Sequence, residues 1–117
     1  MLTDGGLQHI ADQMAEQNDA PVSHLAIGIG VTPAAAGDTA LENEQARVAL
    51  DSKARTGESV SYVGTFGPNV GTGAITEAGI LNSAVGGKLV TRNEFAVKNK
   101  DVADTLQITI TNIFQRV

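Results

Sequence analysis

The chain has 117 residues, of which 42 % are hydrophobic, a formal net charge of −5 and no cysteine. This length predicts a single domain over residues 1–117 with one modest core. The missing cysteines exclude disulfides, thiolate metal ligands and thiol nucleophiles. An acidic chain without a basic stripe argues against nucleic-acid binding, which needs Lys and Arg to neutralise phosphates.

The first residues show no targeting signal. The segment Met1-Leu2-Thr3-Asp4 has no basic region, and no apolar run approaches the roughly 20 residues of a membrane span. We therefore expect a soluble protein made in the cytoplasm, with no membrane insertion.

The charges are divided unevenly along the chain. Residues 1–51 carry eight acids and one base, Arg47, whereas residues 52–117 carry five acids and seven bases. This asymmetry has two interpretations. Either the two halves face each other or water within one molecule, or complementary faces meet between subunits, laterally or head to tail.

Apolar residues at three- and four-residue spacing predict one amphipathic helix over about residues 4–17. The residues on this spacing are Leu2, Leu7, Ile10, Ala11 and Met14. Thr3 or Asp4 is the expected N-cap, and Pro21 lies beyond the expected end. We expect Leu7, Ile10 and Met14 either to cover a sheet or to pack around a symmetry axis.

Six segments after the helix have the alternating or apolar pattern of strands, separated by turns rich in Gly, Pro and polar residues. They span residues 22–30, 45–51, 59–66, 75–81, 88–97 and 105–114. The pattern predicts a mainly β fold, an antiparallel β-sandwich of about six strands over residues 22–115 with one N-terminal α-helix.

Three local patterns refine this prediction. Thr39-Ala40-Leu41-Glu42 fits a capping box and predicts a single helical turn. Residues 52–58 predict a polar turn around Gly57. Gly79 interrupts a strand, which indicates either a bulge or a close approach of another backbone.

The candidates for chemistry are few. Glu77 and Glu94 are candidates for a carboxylate pair across the predicted hairpin, as sugar hydrolysis requires, but the favoured interpretation is that Glu77 pairs with Arg92 or Lys88 or caps a turn. His9 and His24 are isolated histidines and are expected at surface or half-buried positions rather than as metal ligands. We expect no enzyme activity, no catalytic residues, no metal and no cofactor.

Two further binding functions are disfavoured. Gly28-Ile29-Gly30 lacks the third glycine of a dinucleotide fingerprint, since Pro33 stands at that position. Carbohydrate platforms favour exposed aromatic rings, and this chain has one tyrosine, three phenylalanines and no tryptophan. Tyr62 and Phe66 are expected in the core instead.

Five segments occur in an order that is informative over nearly the full length. They are Leu2-Thr3-Asp4-x-Gly6-Leu7, Leu25-Ala26-Ile27-Gly28-x-Gly30, Thr32-Pro33-Ala34-Ala35-Ala36-Gly37-Asp38-Thr39-Ala40-Leu41, Ile75-Thr76-Glu77-Ala78-Gly79-Ile80-Leu81-Asn82 and Asp104-Thr105-Leu106-Gln107-Ile108-Thr109-Ile110-Thr111. Their order and spacing resemble small structural virion proteins of tailed phages, prophages and related archaeal viruses.

The resemblance implies a non-enzymatic, homo-oligomeric virion protein that is assembled in the host cytoplasm and binds other virion proteins. The leading hypothesis is a tail-fibre, baseplate or tail-tip component or a fibre adaptor, with a trimer favoured by analogy. One alternative is a capsid decoration or turret protein, and another is a receptor- or carbohydrate-binding module. The candidate subunit-contact residues are Leu7, Ile10, Met14, Pro33, Asp38 and Leu41.

Overall fold

The computed structural model describes residues 1–115 and contains one helix and seven strands in two antiparallel sheets. The elements are α1 (Asp4–Met14), β1 (His24–Gly28), β2 (Glu44–Ala49), β3 (Ser52–Thr56), β4 (Ser59–Phe66), β5 (Gly73–Leu81), β6 (Leu89–Lys100) and β7 (Leu106–Ile113). One sheet has the order β2-β1-β5-β6 and the other β3-β4-β7. The predicted mainly β sandwich with an N-terminal helix is confirmed.

The main core lies between the two sheets, where the alternation of each strand sends its apolar residues inward. Leu25, Ile27 and Ile80 of the larger sheet share one cluster with Phe66 and Ile110 of the smaller sheet, and all five are buried. Burial of a side chain of this size contributes roughly 1.5–3 kcal/mol. Phe66 is therefore a core residue, as predicted, whereas Tyr62 is only partly buried.

A second, smaller cluster covers the outer face of the four-stranded sheet and consists of Ala26, Leu41, Leu81 and Leu89. Leu41 belongs to residues 29–43, the outer loop, which connects β1 to β2 across this face. Gly79 allows the close contact, because a Cβ there would lie 2.7 Å from the carbonyl oxygen of Thr91 and 3.0 Å from Leu41 Cδ2. The register shifts of β5 lie on either side of Gly79, so close approach explains this glycine.

Helix α1 lies against β6, and its buried residues are Gly6 and His9. A Cβ on Gly6 would lie only 2.2 Å from the carbonyl oxygen of Val90, so the helix backbone itself rests on the strand. This orientation leaves Leu7 56 % and Met14 83 % exposed. The first alternative, in which these residues cover the sheet, is therefore wrong for Leu7 and Met14, and packing around a symmetry axis stays a prediction.

The ends of α1 agree in part with the prediction. Thr3 is the N-cap, and its Oγ1 accepts a hydrogen bond of 2.9 Å from the N–H of Gly6. The helix ends at Met14, about three residues earlier than predicted, because Glu16 adopts a left-handed conformation with φ of 55°.

Two of the local predictions are wrong. Residues 52–58 are not simply a turn, because Ser52–Thr56 forms β3 and pairs along its whole length with β4, leaving a short turn at Gly57. Residues 39–42 do not form a helical turn. The Glu42 carboxylate instead accepts hydrogen bonds from the N–H groups of Val31 and Thr32, which holds the two ends of the outer loop together.

Candidate functional site

The carboxylate of Glu77, on the outer face of β5, is completely buried, because Glu77 is 0 % exposed. Its Oε1 accepts hydrogen bonds of 2.9 Å from Arg92 Nε and from the N–H of Glu42. Its Oε2 accepts bonds of 2.7 Å from the N–H of Gly30 and 2.8 Å from that of Asn43. The predicted pairing of Glu77 with Arg92 is confirmed.

Arg92 extends this network to the middle of the outer loop. Its Nη1 donates to Asp38 Oδ2 at 3.0 Å, and its Nη2 donates to the carbonyl oxygen of Thr32 at 2.9 Å. Asp38 Oδ2 also accepts the N–H of Ala35 at 2.9 Å. The loop is therefore fixed at both ends by Glu77 and at its centre by Arg92 and Asp38.

The surroundings keep this pair ionised. Burial raises the pKa of the Glu77 carboxyl, but the hydrogen bonds from Asn43, Arg92, Glu42 and Gly30 outweigh it and hold this pKa below its usual 4.5. Burial lowers the pKa of the Arg92 guanidinium, but the hydrogen bonds to Glu77 and Asp38 outweigh burial and raise this pKa above its usual value.

The geometry assigns Glu77 to loop anchoring. Glu94 lies opposite it in the β5–β6 register but is exposed to solvent, whereas Glu77 is fully buried. A carboxylate that accepts four hydrogen bonds and has no exposed surface offers no lone pair to a substrate in this conformation. The four donors come from β6 and from the outer loop, so their effect is to hold the loop on the sheet.

A second polar cluster joins the end of α1 to the β5–β6 turn. His9 Nδ1 lies 2.9 Å from Asp19 Oδ2, and Lys88 Nζ lies 2.8 Å from Asp12 Oδ2 and 3.3 Å from Asp19 Oδ2. Asn82 Nδ2 donates to Asp19 Oδ1 at 2.8 Å. Burial raises the pKa of Asp19, but the bonds from His9 and Lys88 outweigh burial and lower it.

The two histidines have different surroundings. His9 is only 6 % exposed and lies against Asp19, so the expectation of an isolated, surface or half-buried residue is wrong for it. His24 is half-buried, as predicted, and its Nδ1 lies 2.7 Å from Ser23 Oγ. Asp19 is ten positions from His9 in sequence, and this distance hides the pair from a local pattern search.

The uneven charge of the sequence is partly balanced inside the molecule. Asp12, Asp19 and Asp38 of the acidic first half form ion pairs with Lys88 and Arg92 of the second half. These contacts support the first interpretation of the asymmetry, in which the two halves face each other.

The six predicted contact residues do not converge on one patch. Pro33 is exposed on the outer loop, and Leu7 is exposed on α1. Ile10 and Met14 line a cavity of about 310 Å³ beside Tyr62, whereas Asp38 lines a different cavity of about 360 Å³. The prediction of Leu41 as a contact is corrected, because Leu41 is 6 % exposed and packs in the chain's own second cluster.

Two other kinds of feature are absent from the part of the chain that the structure describes. Within residues 1–115, no group of three or more His, Cys, Asp or Glu side chains is arranged to hold a metal ion. In the same part of the chain, no helix has the length and apolar character needed to cross a membrane. Comparison with protein-family models found no match to this chain, and comparison with curated proteins found none either.

Proposed function

We propose that this chain is a non-enzymatic structural protein of a tailed-virus particle, acting as a homo-oligomer in the tail apparatus. Its role there is that of a fibre, baseplate or tail-tip component or of a fibre adaptor, in contact with other virion proteins. The observation that carries the proposal is the order of segments from Leu2 to Thr111, which resembles small virion proteins over nearly the whole chain.

The use of buried polar groups suits an assembly role. Glu77 and Arg92 are directed at the outer loop, and no buried side-chain nitrogen or oxygen of the described residues lacks a hydrogen-bond partner. Such satisfied networks rigidify a surface and specify one arrangement of it. A loop held in this way presents a fixed shape to a neighbouring protein.

The exposed apolar residues also suit contact with other proteins. Large apolar side chains are exposed on α1, on the outer loop, at the β5–β6 turn and at the end of β7. These residues are Leu7, Met14, Val31, Val85 and Ile113. Their distribution over several surfaces fits a subunit with more than one neighbour in an assembly.

The proposal is tested by asking whether the protein is a constant part of the particle. Particles from a lysate of the host are purified through two successive density gradients, and peptides of this chain are quantified against the major capsid protein. We expect a ratio that is constant across the particle peak and unchanged by the second gradient. A ratio that falls with purification, as for a host protein added to the lysate as a control, contradicts the proposal.

A further inference from the structure

The four sheet edges differ in how they are protected against pairing. Edge strands usually carry charges, irregularities or a covering segment that prevents association. In the larger sheet, β2 carries Glu44 and Arg47, and in the smaller sheet β3 is short and carries Lys53 and Arg55. These two edges lie on the same side of the sandwich, because residues 50–51 join them directly.

The β6 edge is protected in two ways. Its first half is covered by the N-terminal segment, since the N–H of Thr3 donates to the carbonyl oxygen of Val90 and the N–H of Arg92 donates to that of Met1, both at 3.0 Å. Its second half has a shift in register and carries the exposed charges of Glu94 and Lys98.

Within residues 1–115, the β7 edge has none of these protections. Leu106–Ile113 is an eight-residue strand without charge, proline or glycine, and it pairs in unbroken register with β4 alone among the described strands. Its residues alternate between inward Leu or Ile and outward Gln or Thr over Leu106 to Thr111.

The backbone of β7 presents unpaired groups to this free edge. The N–H of Asp51 bonds the carbonyl oxygen of Val63 on the β3 side of β4, so Val63 directs its backbone groups away from β7. Thr109, which is opposite Val63, therefore directs its own N–H and C=O away from β4. The N–H of Phe114 donates to Glu58 at the other end of the pairing, which fixes the same alternation.

A groove lies beside this edge. It is a cavity of about 260 Å³ between β6 and the first half of β7, where the apolar Phe95, Leu106 and Ile108 are joined by polar residues that include Asn93 and Lys98. The three apolar residues pack against the core but are only partly buried. This groove therefore leaves apolar side chains of the core partly open to solvent beside the β7 edge.

We infer that a second copy of this chain pairs with β7 in an antiparallel arrangement, with Thr109 facing Thr109 of the partner copy across a twofold axis. The strand is complementary to itself. Because β7 has no charge, no like charges meet across the axis. Pairing centred on Thr109 places the outward Thr and Gln side chains of one copy opposite the outward Thr and Gln side chains of the other. The three-stranded sheet of one copy and that of the other then form one six-stranded sheet in the order β3-β4-β7-β7-β4-β3.

This arrangement has a defined stoichiometry. Pairing of one edge with itself is isologous and closes at two copies, so it predicts a dimer rather than the trimer suggested by analogy. It deepens the homo-oligomeric part of the proposed function and needs only purified protein for its test. A negative result in the particle experiment therefore leaves the dimer testable, and a negative result in the pairing experiment leaves the virion role testable.

The test uses substitutions at Thr109, whose side chain is exposed and whose N–H faces the free edge. T109P removes that N–H and is tolerated by a strand edge whose N–H does not bond within its own sheet. T109K introduces a charge that meets its own copy across the axis. T109V is the matched control, because it keeps the branched shape and the edge N–H.

Sedimentation equilibrium of the purified full chain measures the association. We expect a dimer for the wild type and T109V, and a dissociation constant raised about tenfold or more for T109P and T109K. Circular dichroism verifies that both variants keep the β spectrum. A wild type that is monomeric at roughly millimolar concentration, a trimer, or a dimer that both variants leave unchanged overturns the inference.

Amide hydrogen exchange locates the interface without any substitution. In the proposed dimer, the amides of Gln107, Thr109 and Thr111 are protected at high protein concentration and exchange faster on dilution. The amides of Ile108 and Ile110, which face β4, serve as the internal control and keep their protection. Equal exchange of the first group at both concentrations contradicts pairing along β7.

Discussion

Arg92 Nε lies 2.9 Å from Glu77 Oε1, and the two side chains are 2 % and 0 % exposed on the outer face of the larger sheet. Taking both charges out of water is costly, and their attraction offsets this cost only when the remaining donors and acceptors are satisfied. The outer loop supplies those partners through three N–H groups and Asp38. The pair and the loop therefore depend on each other.

Replacing Arg92 by Met is expected to lower the free energy of unfolding by roughly 3–5 kcal/mol, because it leaves the Glu77 charge buried without its cation. Urea denaturation followed by circular dichroism measures this change. The matched control is R55M, since Arg55 is exposed on β3 and donates to the carbonyl oxygen of Gly57 only at the surface. We expect R55M to stay within about 0.5 kcal/mol of the wild type, and equal effects of both substitutions contradict the account.

Stability is expected to fall as the solution is acidified. The pKa of Glu77 is lower in the folded chain than its ordinary 4.5, so the unfolded chain binds more protons between the two values. The stabilisation by Glu77 is therefore complete above the unfolded pKa and is lost as pH falls through the folded pKa. Asp19 and Asp38 shift in the same direction and add to this loss.

The assignment of this pH effect is checked by NMR. The carboxyl carbon of Glu77, assigned by its absence in E77Q, should titrate with a midpoint below 4.5 in the folded protein. A midpoint at or above that value, measured while the protein is still folded, shows that burial outweighs the four hydrogen bonds and rejects the proposed balance.

Gly79 is expected to resist substitution. A Cβ at this position would lie 2.7 Å from the carbonyl oxygen of Thr91, which is buried on β6 between β5 and the N-terminal segment and has little freedom to move. We expect G79A to lower the free energy of unfolding by roughly 1–3 kcal/mol, measured by thermal or urea denaturation. G37A is the control, since a Cβ on Gly37 meets no atom within 4 Å. A neutral G79A would contradict the close approach of β6 and Leu41 to Gly79.

Asp19 is expected to hold the end of α1. D19A removes the acceptor of His9, Lys88 and Asn82, and we expect a loss of about 1–3 kcal/mol together with faster amide exchange in the helix. D101A, in the exposed loop before β7, should change stability by less than about 0.5 kcal/mol. Unchanged exchange of α1 in D19A would show that the helix is held by its contact with β6 alone.

The sequence patterns predicted the fold class and six of the seven strands because those strands carry alternating or buried apolar residues. The strand Ser59–Phe66 agrees with its predicted bounds, and the others differ by a few residues at their ends. The strand Ser52–Thr56 was missed because all five of its residues are exposed. Its order comes from main-chain pairing with β4, which leaves no apolar signal.

The candidate site was less predictable because its contacts are distant in sequence. The pairing of Glu77 with Arg92 joins neighbouring strands of a hairpin and was therefore accessible to reasoning from the sequence. The contacts of Glu77 with Gly30 and of Arg92 with Asp38 cross 47 and 54 positions. The exposure of Met14 depends on how Gly6 sets the helix on β6, which periodicity alone does not determine.

The most direct test of the central claim is immunogold labelling of intact particles with antibody raised against the recombinant protein. Antibody adsorbed beforehand with the same protein is the control for specificity. The account predicts label confined to the tail end of the particle. Label spread over the head would move the protein to a capsid-decoration role, and no label on well-preserved particles, with the epitope shown to be accessible, would contradict the proposal of an exposed virion protein.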